Sequence, residues 1–253
     1  IKKIYPKKPL FPPSWRMMIC IPSSITEVEK RAVRDSAEQA GAKEVYLIHE
    51  PMAAALGIGI DVEEPVGNMI IDIGGGTTGI TVIALAGIVC DQSIRIAGDE
   101  FTADIMEALR RYHSLLIGER TAEQIKIQIG AAMKDIDNPP DDLPVNGRDL
   151  VTGIPKQIMV SYQEIAEALD KSIFKMEEAI LKALEQTPPE LAADIYRRGL
   201  YLTGGGALLK GLDKRLSQKI KLPVHVADDP LKSVVRGTGL ALKNYDRYPF
   251  VMR

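Results

Sequence analysis

The feature that most constrains this chain of 253 residues is an apolar run over residues 69–89, interrupted by one acid and three successive glycines. The β-branched segments 69–73 and 79–85 flank the glycines, a pattern typical of two strands joined by a tight turn. Glycines leave backbone N–H groups accessible to a phosphate oxygen, Thr77 and Thr78 offer hydroxyls, and Asp72 can hold a cation through water. The stretch therefore predicts a phosphate-binding hairpin, with a purely structural turn as the alternative.

The charge pattern argues against nucleic acid as a partner. The net charge is −2, basic and acidic residues are interspersed along the chain, and no basic stripe with interleaved aromatic residues occurs. Cys20 and Cys90 stand inside apolar runs, where free thiols pack as small hydrophobic groups, and this favours a reducing cytoplasm. No uninterrupted apolar run of about 18 residues and no secretory signal pattern occur, so the sequence predicts neither a membrane span nor export.

The first 15 residues predict a loop, because they are rich in proline. Leu10 and Phe11 stand there among lysines at positions 2, 3, 7 and 8. Such an apolar pair can enter a lipid interface while the lysines meet anionic head groups, and the alternative is that it packs onto its own domain.

A strand followed by a helix is predicted twice in the first third of the chain. Residues 17–21 indicate a buried strand, and the capping-box spacing of Thr26 and Glu29 predicts the start of a helix. A second strand, 45–48, leads into Glu50 and Pro51, where the next helix begins. Because ligands bind beyond the carboxyl ends of strands in open α/β sheets, Glu50 is placed to face a site, although it could also be a helix-capping acid.

Helices dominate after residue 97. Asp99 is predicted to cap one helix, and Thr121 with Gln124 to open the next. In that second helix Glu123 and Lys126 have the spacing of an exposed i,i+3 ion pair, which needs no ligand to explain it. Segments 143–145 and 157–160 predict a second hairpin. Ser161 and Glu164 predict the start of a long helix with an apolar stripe at helical spacing.

A second glycine turn, Gly204 to Gly206, follows a predicted strand at 200–203 and precedes a helix. It is neither a P-loop, since no Gly-Lys-Ser/Thr follows, nor a Rossmann turn, since the Gly-x-Gly-x-x-Gly spacing is missing. Small residues at this position accept a flat ring or a ribose-phosphate edge against the main chain.

The two glycine turns, about 130 residues apart, are more informative together than separately. With them the chain resembles the actin/Hsp70/hexokinase superfamily of nucleotide phosphatases. Within it the chain is most similar to MreB, the bacterial actin homologue of rod-shaped cells. Four further stretches carry the similarity: Glu-Pro-Met-Ala-Ala-Ala-Leu-Gly, Ile-Arg-Ile-Ala-Gly-Asp-Glu-Phe, Thr-Ala-Glu-Gln-Ile-Lys and Val-Ala-Asp-Asp-Pro-Leu. The similarity extends from about Met17 to Leu242.

The resemblance implies an α/β, actin-like (ribonuclease H-like) ATPase fold from which most of the N-terminal half of the first domain is missing. Residues 1–67 would be the remainder of that first, IA-like domain. Residues 68–97 and 161–230 would form the second large, IIA-like subdomain, and residues 98–160 the small, IIB-like one. Residues 231–253 would contain a C-terminal helix that returns to the IA-like domain.

The resemblance also implies roles for individual residues, with ATP or ADP and Mg²⁺ as ligands. Asp72 would hold the magnesium ion through water, and Glu50 and Thr77 would orient the attacking water. The remaining expected contacts to the nucleotide are made by Gly74, Gly75, Gly76 and Thr77 at the phosphates, by Glu123 and Lys126 at the ribose and adenine, and by Gly204, Gly205, Gly206 and Ala207 at the nucleoside.

The implied function is that of a cytoskeletal ATPase whose membrane-associated filaments determine cell shape by guiding cell-wall synthesis. Expected partners are other protomers, an anionic membrane surface met by Leu10 and Phe11, and the cell-wall elongation machinery, at the inner face of the cell membrane. The alternatives are a non-hydrolysing scaffold, a chaperone ATPase or a sugar kinase. Because the chain lacks the Asp-x-Gly-Thr loop that forms the other phosphate clamp in such proteins, we expect these 253 residues to bind ATP weakly or not at all, with impaired hydrolysis.

Overall fold

The computed structural model describes residues 15–253, and these form a layered α/β structure with three sheets. In chain order the elements are β1 (Trp15–Ile21), α1 (Glu27–Gln39), β2 (Ala42–His49), α2 (Glu50–Gly57), β3 (Asn68–Ile73), β4 (Thr78–Ala84), β5 (Gly87–Ile94), α3 (Gly98–His113), β6 (Leu115–Leu116), α4 (Glu119–Ile129), β7 (Leu143–Asp149), β8 (Pro155–Val160), α5 (Tyr162–Glu185), α6 (Pro189–Arg198), β9 (Leu200–Thr203), α7 (Leu212–Ile220), β10 (Val224–Val226) and α8 (Ser233–Lys243). Short 3₁₀ turns, Gly205–Leu208 and Pro230–Lys232, precede α7 and α8.

The central sheet has the strand order β10-β9-β3-β4-β5. Strands β3 and β4 form the predicted hairpin, with Ile73 opposite Thr78, and β9 lies parallel to β3 with Thr203 opposite Asp72. This register brings both glycine turns to the same end of the sheet, beyond the C-terminal ends of β3 and β9. The predicted second hairpin is also confirmed, since β7 and β8 are antiparallel and belong with β6 to a three-stranded sheet.

The apolar run of β3 and β4 is continuous because this sheet is buried on both faces. Met69, Ile71 and Ile73 face the larger core, which also contains the apolar stripe of α5. Ile70 and Ile83 face a second core formed with α2 and α8.

Helices α2 and α8 cross in direct backbone contact. An ideal Cβ on Gly237 would lie 1.7 Å from the carbonyl oxygen of Ala53, and one on Gly57 would lie 1.8 Å from that of Ser233. Glycine is required at both positions because any side chain would separate the helices. The C-terminal helix is thereby held against the helix that begins with Glu50.

The predicted division into subdomains stays a prediction. The larger core is shared by the predicted IIA-like and IIB-like subdomains. Side chains from 68–97 and 161–230 and from 98–160 share that core, among them Met69, Phe101, Ile125 and Leu169.

Two predicted helix caps are wrong. Helix α3 begins at Gly98 after Ala97, so Asp99 lies in its first turn instead of capping it. Helix α4 begins at Glu119, two residues before the predicted Thr121, and Gly118 takes the N-cap position. In both cases the backbone of a small residue starts the helix where the residue pattern favoured a polar side chain. The capping boxes of Thr26 and Ser161 are confirmed.

Candidate functional site

The first glycine turn is closed by its own backbone. The N–H of Gly74 donates to the carbonyl of Thr77 at 3.0 Å. Thr77 is exposed at the tip, whereas Thr78 is buried and its hydroxyl donates to the carbonyl of Ile96 at 2.6 Å. The expectation that both threonines offer hydroxyls to a ligand is therefore wrong for Thr78, whose hydroxyl holds the turn against the segment that precedes α3.

The start of α3 is hydrogen-bonded to the backbone of this turn. Gly98 donates its N–H to the carbonyl of Gly74 at 3.1 Å, and Asp99 donates to that of Gly75 at 2.7 Å. A Cβ on Gly75 would lie 3.5 Å from a carboxylate oxygen of Asp99. Asp99 thus places a carboxylate next to the glycines, a feature that the sequence did not predict.

The second glycine turn packs directly onto the end of β3. Gly204 has φ of +80°, and an ideal Cβ there would lie 2.4 Å from the carbonyl oxygen of Ile73. A Cβ on Gly206 would lie 2.1 Å from the Cγ2 atom of Ile73. The N–H of Gly204 donates to the carbonyl of Pro230 at 3.0 Å. Only glycine permits this approach, which joins the two turns into one surface.

Asp72 lies at the junction between the turns, where Thr203 donates its hydroxyl to Oδ1 at 3.1 Å. Burial raises the pKa of Asp72, and the hydrogen bond from Thr203 partly opposes this. Burial also raises the pKa of Glu50, and the nearby charge of Asp72 raises it further. The two carboxylates are thus electrostatically coupled, and a cation near them would offset their burial.

Glu123 and Lys126 form a network with α3. The Lys126 ammonium lies 2.6 Å from Glu123 Oε2, 2.7 Å from the carbonyl of Gly98 and 3.1 Å from the hydroxyl of Thr102. The Thr102 hydroxyl is also 2.8 Å from Glu123 Oε2. Burial raises the pKa of Glu123, but the hydrogen bonds from Lys126 and Thr102 outweigh it and lower the pKa overall. The predicted ion pair exists and is only partly exposed, since the side chain of Glu123 is 45% exposed and that of Lys126 is 15% exposed.

These parts border one cleft of about 950 Å³ between the glycine turns and helices α3 and α4. Its walls include seven of the predicted site residues: Gly74, Gly75, Glu123, Lys126, Gly204, Gly205 and Gly206.

The other predicted site residues lie around or behind the cleft. Gly76 and Thr77 are exposed on the same turn, whereas Glu50 and Asp72 are half-buried at its base. Ala207 packs into the larger core and is 3% exposed, so its side chain does not reach the cleft.

Other residues that line the cleft were not predicted as site residues: Gly98, Asp99, Phe101, Thr102, Glu119, Arg120, Ile127, Leu208, Leu209 and Leu231. The stretch 94–101 carried part of the family resemblance, which was the available signal for Gly98 and Asp99. The apolar residues at 208, 209 and 231 come from segments far apart in sequence, and no pattern within either segment marks them as neighbours.

Comparison with known proteins decides the family. The family model described as "MreB/Mbl protein" matches residues 1–249. The chain belongs to the MreB/Mbl family.

The similarity to individual relatives extends over most of the chain. It is 47% identical over 234 residues to the cell shape-determining protein Mbl of Bacillus subtilis, covering 92% of this chain and 70% of that protein. It is 49% identical over 239 residues to the cell shape-determining protein MreB of Escherichia coli, covering 93% and 67%. The crystal structure of MreB5 of Spiroplasma citri bound to ADP superimposes with a TM-score of 0.88 at 38% identity, covering 92% of this chain and 71% of that one. The predicted actin-like α/β fold of this MreB/Mbl chain is thereby confirmed.

The membrane prediction rests on residues outside the described part of the chain, because Leu10 and Phe11 precede residue 15. Among residues 15–253, none of the helices is long and apolar enough to cross a membrane.

Proposed function

We propose that this MreB/Mbl chain binds Mg-ATP in the cleft described above and belongs to an actin-type ATPase. One observation carries the proposal: both glycine turns and the Glu123–Lys126 pair meet at a single cleft. The relative MreB5 of Spiroplasma citri was crystallised with ADP, which supports a nucleotide as the ligand.

In this proposal the backbone from Gly74 to Thr77 receives the β- and γ-phosphates. The main chain from Gly204 to Ala207 lies along the nucleoside. Glu123 accepts from a ribose hydroxyl through Oε1, because its contacts to Thr102 and Lys126 involve Oε2. The Lys126 ammonium has three acceptors within reach, one for each of its protons, so Lys126 contacts the ligand through its methylene stem.

The described residues fit a magnesium ion held partly by the nucleotide. They contain no group of three His, Cys, Asp or Glu side chains arranged for a metal. Mg²⁺ on a nucleotide characteristically uses one or two carboxylates, water and phosphate oxygens, and a half-buried Asp72 beside the turn suits that role. The ion supplies charge neutralisation at the phosphates. Glu50 and Thr77 orient the attacking water, and the raised pKa of Glu50 brings it closer to that of an effective general base.

Calorimetric titration of the 253-residue polypeptide with Mg-ATP tests the binding site. Within residues 15–253 the backbone donors for the β- and γ-phosphates come from one glycine turn, so we expect affinity weaker than micromolar and no useful rate of phosphate release. A micromolar dissociation constant would contradict this expectation.

We further propose that the protein assembles with itself into ATP-dependent filaments at the cytoplasmic face of the cell membrane. There it would guide the cell-wall elongation machinery, with Leu10 and Phe11 entering the lipid. Membership of a family whose relatives are named cell shape-determining proteins supports this role.

Sedimentation of the complete gene product, with and without ATP and with and without anionic liposomes, tests this assembly. We expect ATP to increase the pelleted fraction and anionic lipid to increase it further. Pelleting that is independent of ATP, without phosphate release, would instead support a non-hydrolysing scaffold.

A further inference from the structure

The walls of the cleft are joined by a short backbone bridge. The segment that follows α4 runs beside the segment that follows the second glycine turn, with Ala131 paired to Lys210. Lys210 donates its N–H to the carbonyl of Gly130 at 3.3 Å, and Ala132 donates to the carbonyl of Lys210 at 2.8 Å. Helix α4 carries Glu123 and Lys126, whereas Leu208 and Leu209 belong to the opposite wall. The bridge therefore sets the spacing of the two walls.

Arg215, in α7, is hydrogen-bonded to this bridge. Its Nη1 atom donates to the carbonyl of Ala132 at 2.8 Å. Its Nε atom donates to Oε1 of Glu177 in α5 at 2.6 Å, and Nη1 also lies 2.8 Å from Asp170. One planar guanidinium thus ties together α5, α7 and the segment that follows α4.

The ion pair with Glu177 is well shielded from water. The Glu177 side chain is 5% exposed and that of Arg215 is 16% exposed. A buried pair of this kind has a fixed geometry, because either charge left alone would be strongly unfavourable. A lysine would retain the charge but not the fork that reaches Glu177 and Ala132 together.

We propose that Arg215, oriented by Glu177, is a positioning residue that fixes the nucleoside end of the cleft. This inference rests on the proposed nucleotide-binding function. The side-chain hydrogen bonds and ion pairs of Arg215 go to Ala132, Asp170 and Glu177 and not to the glycine turns. It therefore acts on the ribose and base through the spacing of α4 and Leu209, and the phosphate end is independent of it. A wall held in place before binding also lowers the ordering cost of binding.

The test compares ATP with inorganic tripolyphosphate, which has the phosphates but no nucleoside. Affinities are measured in the complete gene product by saturation-transfer NMR and competition, which remain usable for weak ligands. We expect Arg215→Met to weaken ATP binding about tenfold, which is a loss of about 1.4 kcal/mol, while tripolyphosphate affinity changes less than twofold. Arg215→Lys should recover only part of the loss. The control is Lys214→Met in the same helix, which removes the ion pair to Asp137 on the exposed surface and should change neither affinity.

A double variant separates positioning from general stability. Glu177→Leu combined with Arg215→Met removes both charges, so thermal stability should return toward that of the wild type. ATP affinity should stay low, because the carbonyl of Ala132 still lacks its donor. If ATP affinity returned together with stability, or if Arg215→Met left ATP affinity unchanged or weakened both ligands equally, the inference would be overturned. Failure of the complete wild-type gene product to bind either ligand would overturn the proposed function, and the inference with it.

Discussion

The crossing of α2 and α8 gives a sharp prediction for Gly237→Ala. The new Cβ would lie 1.7 Å from the carbonyl oxygen of Ala53, whereas real contacts of this kind are essentially never below 3.0 Å, so the helices must separate by about 1.3 Å (3.0 minus 1.7). The obstructing atoms are backbone, and no flexible side chain can move aside. Overpacking typically costs about 1–3 kcal/mol, and the upper end applies here. For a chain of this size, about 3 kcal/mol lowers the melting temperature by roughly 6–12 °C.

Gly239→Ala is the matched control in the same helix, two residues away. Nothing lies within 4 Å of its added Cβ, and the residue is exposed. Replacing a helical glycine by alanine there should raise stability by about 0.5–1 kcal/mol. Thermal melts and urea denaturation of both variants give the comparison. Because α2 begins with Glu50, Gly237→Ala should also reduce ATP hydrolysis by the complete gene product, whereas Gly239→Ala should not. Equal melting temperatures for the two variants would show that the crossing of α2 and α8 does not require glycine at position 237.

Three further predictions concern the cleft and the proposed membrane contact. Burial raises the pKa of Asp72, so the folded protein loses stability as the pH rises through that raised pKa and the carboxyl group ionises. Asp72→Asn should therefore melt at a higher temperature than the wild type at pH 7 without nucleotide, and it should no longer be stabilised by Mg-ATP. A lower melting temperature of the variant across pH 5–8 would contradict this. Thr102→Val should cost about 1–2 kcal/mol in urea denaturation and weaken ATP binding, because it removes the hydroxyl shared by Glu123 and Lys126, whereas Thr121→Val should be nearly neutral. Replacing Leu10 and Phe11 together by serine should abolish flotation with anionic liposomes without changing ATP affinity, and unchanged flotation would exclude them as the anchor.

Local patterns predicted the elements of this chain well. The hairpin of β3 and β4, the capping box of Thr26 and the long helix α5 each depend on neighbouring residues, and the structure confirms them. The caps at Asp99 and Thr121 were wrong, because a small residue a few positions earlier already starts each helix through its backbone.

The site was harder to predict, because it depends on contacts between distant segments. Both glycine turns were identifiable as glycine-rich sequences, but the contact of Gly206 with Ile73 depends on how β9 aligns with β3. Thr102 and Arg215 are single polar residues within helices, and no local pattern distinguishes them from surface positions. Their importance appears only once α3, α4, α5 and α7 are packed together.

Photolabelling with 8-azido-ATP shows directly whether the cleft between the two glycine turns is the nucleotide site. The 253-residue chain is irradiated with the Mg²⁺ complex of the probe at millimolar concentration, with and without excess ATP, and the labelled peptides are mapped by mass spectrometry. We expect label within 119–127 or 204–209, or at Leu231. Excess ATP should suppress this label, and excess tripolyphosphate should suppress it less. Label outside these segments, or label that ATP does not suppress, would contradict this expectation.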